Sequence, residues 1–246
     1  MSVKIAINNA AALREEEMIE IIATTVEDAK RIEASGADRI ELVSALTEGG
    51  LTPSYGLIKK VIESVRIPVN VMIRPHAKSF VYTNDELNVM KEDILIAKDL
   101  KANGVVLGTL DKNNRICESS LAKLLEVSGD MEVTFHRAID ELADPEKGVI
   151  VLAKYSQIKR VLTSGGKGDI LDNLPRIKQM IANGGSLRVL VGGGLNLRNI
   201  EQIITETRAP EYHFGTAIRE NTSSFGEINA EKLASLVTIV NQFGCH

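Results

Sequence analysis

The chain has 246 residues, a formal net charge of −4 and 44% hydrophobic residues, which is an ordinary composition for a globular protein. The slightly acidic balance excludes the basic surface of a nucleic-acid-binding protein. The two cysteines, Cys117 and Cys245, exclude a disulfide scaffold and favour a reducing compartment. No apolar run reaches the ~18 residues that a membrane-spanning helix needs. We therefore expect a cytoplasmic protein without a membrane anchor.

Short runs rich in β-branched residues alternate along the chain with longer segments in which apolar residues recur every three or four positions. The pattern predicts strands at 18–24, 39–43, 69–73, 104–107, 132–136, 160–163, 188–191 and 212–214. It predicts helices at 26–34, 54–65, 85–101, 118–127, 144–153, 170–182, 197–206 and 230–243. Eight successive strand–helix units predict an α/β fold, a single TIM (β/α)8 barrel, rather than a doubly wound sheet.

The barrel is predicted to occupy residues 17–246, since no linker rich in proline or serine divides that segment. Residues 1–16 precede the first strand and are predicted to be an N-terminal extension. The extension is either a flexible segment or a helix that covers the bottom of the barrel.

Polar residues interrupt the predicted strands, although strands covered on both faces are expected to be apolar. Because strand side chains alternate between faces, helix-facing Ile40 and Leu42 turn Glu41 towards the barrel interior. The same alternation turns four more polar side chains inward: Glu20, Arg74, His136 and His213. These residues form either a buried ion-pair network or a shared functional site. Arg74 and His136 favour a site, because they lie at the strand ends where barrel active sites are built.

These residue types suggest a catalytic hypothesis. Glu41 or His136 acts as the acid–base group, and Arg74 clamps an anionic group of the substrate. Arg137 follows His136 directly and completes the predicted catalytic set.

Glycine-rich turns follow the last three predicted strands. In this fold the loops after strands seven and eight commonly bind phosphate through free backbone N–H groups. The predicted anion-binding residues are Gly192, Gly193 and Gly194 after strand seven, Gly215 and Thr216 after strand eight, and Ser164 and Gly165 after strand six. The alternative is that these glycines only permit tight turns.

Metal binding has less support in the residue pattern, because the sequence has no cysteine pair at ligand spacing and no His-x-x-x-His. His136 and His213 are the candidate metal ligands. Together with Glu41 they form a nitrogen and oxygen site if the three side chains converge.

Several sequence motifs occur in a fixed order. They are GADRIEL at 36–42, EGGLTPSYGLIK at 48–59, IPVNVMIRP at 67–75, GVVLG at 104–108, TFHRAID at 134–140, RVLTSGG at 160–166 and GGGL at 192–195. Together they resemble the CutC family, which is described as a family of copper homeostasis proteins. The resemblance spans about residues 18–219. It implies a TIM barrel, a cytoplasmic homo-oligomer and copper as the bound ion.

The resemblance links copper binding to two cysteines, one in the first strand and one after the second. This chain has Ile22 and Val43 at those positions. Cu(I) prefers thiolate and thioether ligands, and neither thiol is present. Three functions therefore remain open: a copper homeostasis protein, a barrel enzyme acting on a small anionic or phosphorylated metabolite, and a structural barrel without chemistry.

Overall fold

The computed structural model describes residues 18–243. Within this range eight parallel strands alternate with eight α-helices, and the strands close into a barrel because the first strand pairs with both the second and the eighth. The predicted single TIM barrel is confirmed. The predicted N-terminal extension, residues 1–16, lies outside the described residues. No helix in the described range is long and apolar enough to cross a bilayer.

The strands are β1 (Met18–Ala23), β2 (Arg39–Leu42), β3 (Val69–Met72), β4 (Gly104–Leu107), β5 (Glu132–Phe135), β6 (Ile158–Thr163), β7 (Arg188–Gly192) and β8 (Glu211–Phe214). The helices are α1 (Val26–Ala34), α2 (Tyr55–Ser64), α3 (Asn84–Asp99), α4 (Glu118–Ser128), α5 (Pro145–Leu152), α6 (Leu174–Asn183), α7 (Ile200–Thr207) and α8 (Ala230–Phe243). Short 3-10 helices follow β2, β5 and β8.

Two helices begin three or four residues later than the periodicity predicts, at Leu174 instead of residue 170 and at Ile200 instead of residue 197. Pro175 lies in the first turn of α6, where a proline is tolerated, and it disfavours helix in the residues before it. Ahead of α7, the Asn199 side chain accepts a hydrogen bond from the Asn196 backbone N–H, so a local turn replaces the first helical turn.

Apolar side chains form two separate clusters, one on each face of the sheet. The large cluster lies between strands and helices and includes Ile40 and Leu42. The small cluster lies inside the barrel and consists of Ile22, Val43, Met72 and Val106, with Leu46 packed against it. The predicted alternation of strand faces therefore holds in the first three strands.

The N-terminal end of the barrel interior contains a buried ion-pair network. Such a network is the alternative that the sequence predicts for Glu20, but sequence reasoning missed the other members, which are Arg39, Glu211, Arg160 and Glu132. Arg39 pairs with Glu20 and Glu211, and all three side chains are at most 1% exposed. Arg160 extends the network, with nitrogen–oxygen distances of 2.8 Å to Glu211 and 2.6 Å to Glu132. The network uses Glu20, and His213 is hydrogen-bonded to Glu20. Glu41, Arg74 and His136 lie nearer the C-terminal ends of the strands and outside the network.

Candidate functional site

A cavity of about 470 Å³ opens at the C-terminal ends of the strands. It is lined by nine residues that the sequence analysis singled out: Glu41, Arg74, His136, Arg137, Gly193, Gly194, His213, Gly215 and Thr216. Three predicted anion-binding residues, Ser164, Gly165 and Gly192, are not among the lining residues. Phe80 and Asn196 line the cavity as well and were missed, because both lie on loops without a recognisable motif.

The floor of the cavity is formed by Glu41 from β2 and His213 from β8. Nδ1 of His213 lies 2.8 Å from Oε1 of Glu20, so the ring donates this hydrogen bond to the carboxylate. Nε2 of His213 faces Oε2 of Glu41 at 3.7 Å. The second oxygen of Glu41, Oε1, is buried and has no hydrogen-bond partner among the described residues.

The ionisation of this floor follows from burial and neighbouring charges. Burial raises the pKa of Glu41 to about 7, even though His213 acts against the rise. Burial also acts on Glu20, but Arg39 and His213 outweigh it and lower the pKa of Glu20 to about 2. For His213, burial alone would lower the pKa, but Glu41 and Glu20 prevail and raise it.

His136 is a neutral imidazole whose Nε2–H group is an unpaired hydrogen-bond donor. Its Nδ1 accepts a hydrogen bond from the Ala138 backbone N–H over 3.2 Å, which leaves the ring proton on Nε2. Nε2 is buried and has no hydrogen-bond partner in residues 18–243. Burial, assisted by the charge of Arg74, lowers the pKa of His136 to about 3. The ring therefore stays uncharged and can donate a hydrogen bond to a ligand.

Arg74 brings a buried positive charge to the cavity. Its Nη1 donates to the backbone oxygens of Glu48 and Gly50 over 2.9 and 3.1 Å, and its Cζ lies 4.9 Å from the centre of the Phe80 ring. The residue is 8% exposed, and its Nε has no partner. No carboxylate of the described chain forms an ion pair with it.

Arg137 is held at the rim by Asp140, in the 3-10 helix after β5, and by Ser164, in the loop after β6. Its Nε donates to Asp140 over 2.8 Å, and its Nη2 donates to the Ser164 hydroxyl over 3.0 Å. Asp140 also accepts hydrogen bonds from the backbone N–H groups of Ser164 and Gly166. The hydroxyl oxygen of Thr163 accepts a hydrogen bond from the backbone N–H of Gly165. The predicted anion-binding N–H groups of Ser164 and Gly165 are therefore already paired within the protein.

The loops after β7 and β8 present unpaired donors to the cavity. The backbone N–H groups of Gly194, Gly215 and Thr216 donate to no protein acceptor within the described range. Gly193 has φ +85°, and a Cβ atom there would lie 2.6 Å from Cζ of Arg137. A Cβ atom at Gly192 would instead lie 2.7 Å from Cδ1 of Leu162 and 2.9 Å from Cβ of His213.

Sulfur ligands are scarce around this cavity. Met72 is the sulfur-containing side chain among its lining residues, and Cys117 lies at the start of α4 with its Sγ 3.2 Å from the Ser120 hydroxyl. Ile22 and Val43, where the resemblance implied thiols, lie in the same interior apolar cluster as Met72. The donors that converge here are the oxygen and nitrogen atoms of Glu20, Glu41 and His213.

The fold and cavity define the class of protein: a TIM barrel with a buried polar site at the C-terminal ends of its strands. A model of the CutC family matches residues 17–218, so the chain belongs to the CutC family. The copper homeostasis protein cutC homolog of Homo sapiens is 42% identical over 197 residues, which is 80% of this chain and 72% of that protein. A CutC family protein of Pasteurella multocida is 38% identical over 79% of this chain and 80% of its own length.

Solved structures agree with this assignment. The putative copper homeostasis protein CutC of Streptococcus agalactiae matches with a TM-score of 0.77 and 34% identity, over 82% of this chain and 99% of that chain. Phosphoribosyl anthranilate isomerase of Thermococcus kodakaraensis matches with a TM-score of 0.62 at 16% identity, over 91% of this chain and 98% of that chain, and this likeness concerns the fold alone.

Proposed function

We propose that the cavity binds a small anionic molecule, and that the chain is an enzyme acting on a small anionic or phosphorylated metabolite. One observation carries the proposal: a buried guanidinium without a carboxylate partner lies beside a buried imidazole with an unpaired N–H. The guanidinium belongs to Arg74 and the imidazole to His136.

An unpaired buried charge is costly, and proteins retain one where a ligand supplies the opposite charge. Arg74 is held by the backbone oxygens of Glu48 and Gly50, which orient the guanidinium without neutralising it. Phe80 packs against both Arg74 and His136, with a distance of 4.8 Å between the centres of its ring and the imidazole. The two donors are thus fixed together in one wall of the cavity.

The loops after β7 and β8 supply a second set of donors. The free N–H groups of Gly194, Gly215 and Thr216 suit phosphate oxygens, which accept hydrogen bonds from backbone amides in many barrels of this kind. Arg137 lies against Gly193 and adds positive charge at the rim. A phosphorylated metabolite would use both sets of donors.

Chemistry on the bound molecule would use Glu41 in the floor of the cavity and His136 in its wall. Glu41 is the carboxyl group with a free oxygen in the cavity, and it exchanges a proton with the bound molecule. His136 donates a hydrogen bond from Nε2 to an oxygen that gains negative charge during the reaction. The acid–base work falls to Glu41, since Nδ1 of His136 is occupied by Ala138.

Calorimetric titration with inorganic phosphate tests the proposal. Wild-type protein should bind phosphate, and Arg74→Met should weaken binding by about 30-fold or more, because one partner of a desolvated charge pair is lost. Arg115→Met is the matched control, because this exposed arginine pairs with Asp111 away from the cavity. Equal affinities in the wild type and Arg74→Met would contradict the proposal.

Copper handling is the second candidate function, because relatives are named copper homeostasis proteins. A Cu(I) site made of thiolates has no support in residues 18–243, where Cys117 is not among the residues that line the cavity. A copper role for this chain therefore depends on oxygen and nitrogen donors. The homo-oligomer and the cytoplasmic location implied by the family resemblance stay predictions.

A further inference from the structure

We propose that Glu41 and His213 bind a divalent transition-metal ion at the floor of the cavity, with Glu20 orienting the imidazole. The site goes beyond the anion site formed by Arg74, His136 and the glycine loops. Its ligands differ from the residues that bind the anion, although Glu41 also has the proposed acid–base role, so a separate titration tests each of the two sites.

The geometry of the floor fits two ligands of one ion. Donor atoms of Glu20, Glu41 and His213 all lie within 4.8 Å of one another. Nε2 of His213 and Oε2 of Glu41 are 3.7 Å apart, which is long for a hydrogen bond between them. Two nitrogen or oxygen ligands about 2.1 Å from a tetrahedral ion are about 3.4 Å apart. A small shortening of the distance between Nε2 of His213 and Oε2 of Glu41 would therefore let both atoms bind one ion.

Glu20 supplies the outer partner that metal-binding histidines commonly have. Its Oε1 accepts the hydrogen bond from Nδ1 of His213, so that Nε2, once an incoming ion has displaced any proton there, directs its lone pair at Glu41. A carboxylate on the far nitrogen fixes the tautomer and makes the imidazole a better ligand. Arg39 in turn holds the other oxygen of Glu20.

The charge balance around the floor favours a cation. The guanidinium groups of Arg39 and Arg160 are paired with Glu20, Glu211 and Glu132. Glu41 contacts no guanidinium, is 2% exposed and keeps Oε1 unpaired within the described chain. A bound cation would neutralise this carboxylate and give Oε1 a partner.

The donor set also indicates which ions fit. One imidazole and one carboxylate are ligands for Zn²⁺ or Cu²⁺, whereas Cu(I) prefers sulfur. Among these divalent ions Cu²⁺ should bind most tightly, as the Irving–Williams order requires. With only two protein ligands, the remaining coordination positions face the cavity and are open to water or an anion. In the loaded protein Glu41 is a ligand, and its proposed acid–base role applies to the metal-free protein.

Metal titration of the full chain against a competing chelator tests the site. Wild-type protein should bind one Cu²⁺ or Zn²⁺ ion per chain. Glu41→Gln and His213→Gln should each lower affinity at least on the order of 100-fold, and Glu20→Gln by about 10- to 100-fold, since Glu20 is a positioning residue. Cys117→Ser and the double variant Cys245→Ser, His246→Gln are controls that should bind as the wild type does. Wild-type affinity in Glu41→Gln and His213→Gln, or loss of binding in a control variant, would overturn the proposal.

Electron paramagnetic resonance of the Cu²⁺-loaded wild type keeps the test decisive if a variant fails to fold. The proposed site predicts hyperfine coupling to one imidazole nitrogen and otherwise oxygen ligands. A spectrum with thiolate ligation, or without imidazole nitrogen, would contradict the site. Phosphate titration of the metal-free protein is independent of this result, so failure of one site does not imply failure of the other.

Discussion

Nδ1 of His213 and Oε1 of Glu20 lie 2.8 Å apart inside the barrel, and this hydrogen bond joins two parts of the interior with different tasks. Glu20 belongs to the ion-pair network at the N-terminal end of the strands, together with Arg39. His213 belongs to the cavity at the C-terminal end, where it faces Glu41. The network therefore fixes the orientation of a cavity residue.

The network should be essential to stability. Arg39→Met leaves the buried carboxylates of Glu20 and Glu211 short of a partner, and we expect the free energy of unfolding to fall by about 3–5 kcal/mol. Urea unfolding monitored by circular dichroism measures the change. Arg115→Met, which removes an exposed ion pair, should leave the unfolding midpoint unchanged. An equally small effect of Arg39→Met would show that the network contributes little.

His136 should remain uncharged at any pH near neutrality. Because its pKa is lowered to about 3 in the folded protein, its imidazole resonances should not shift between about pH 8 and about pH 5. Between the folded value and the ordinary value of 6.5, the unfolded chain binds a proton that the folded chain does not. The contribution of His136 to stability is therefore present above pH 6.5, and it is lost as the pH falls towards 3. Nuclear magnetic resonance, with His136→Phe for assignment, checks this expectation; a titration near pH 6.5 would refute it.

Gly193 should be required for the position of Arg137. In Gly193→Ala the added Cβ collides with the guanidinium, so we expect weaker phosphate binding in addition to about 1–2 kcal/mol of backbone strain. Gly168→Ala is the matched control, because Gly168 also has a positive φ, +95°, but has open space around it. The control should lose similar stability and keep its phosphate affinity. Equal phosphate affinities in the two variants would separate Gly193 from the anion site.

Asp140 should organise the loop after β6. In Asp140→Ala the donors of Thr163, Ser164 and Gly166 lose a buried acceptor, so the free energy of unfolding should fall by at least about 2 kcal/mol. Thermal unfolding measures the loss. Asp169→Ala, which removes an acceptor from an exposed turn at Leu171, should cost clearly less. Similar losses in both variants would argue against this role of Asp140.

The sequence predicts the barrel and most polar side chains at the C-terminal end of its interior. Both follow from strand periodicity and face alternation, which are local properties of the sequence. Glu41, Arg74, His136 and His213 could be predicted to point inward from their immediate neighbours alone. The ion-pair network could not be recognised in this way, since Arg39 and Glu211 stand at strand starts, where charged residues usually meet solvent. Their partners come from strands far apart in the chain, and only the closed barrel brings them together.

The loops after the last three strands show the same limit of local patterns, because their backbone N–H groups differ in whether a distant segment supplies an acceptor. Glycine residues occur in the turns after β6, β7 and β8. Asp140 accepts hydrogen bonds from the N–H groups of Ser164 and Gly166 after β6, whereas the N–H groups of Gly194 and Gly215 stay free in the described chain. No local pattern distinguishes a paired N–H from a free one, because the acceptor comes from another segment.

Arg74 and His136 are proposed to hold an anion together, and a crystal structure of the metal-free protein soaked in tungstate would locate that anion. Tungstate resembles phosphate in shape and charge, and it can be located by anomalous scattering. We predict tungstate in the cavity, within hydrogen-bond distance of the Arg74 guanidinium and of Nε2 of His136. Tungstate bound only at other surfaces, with none in the cavity at saturating concentration, would contradict the account.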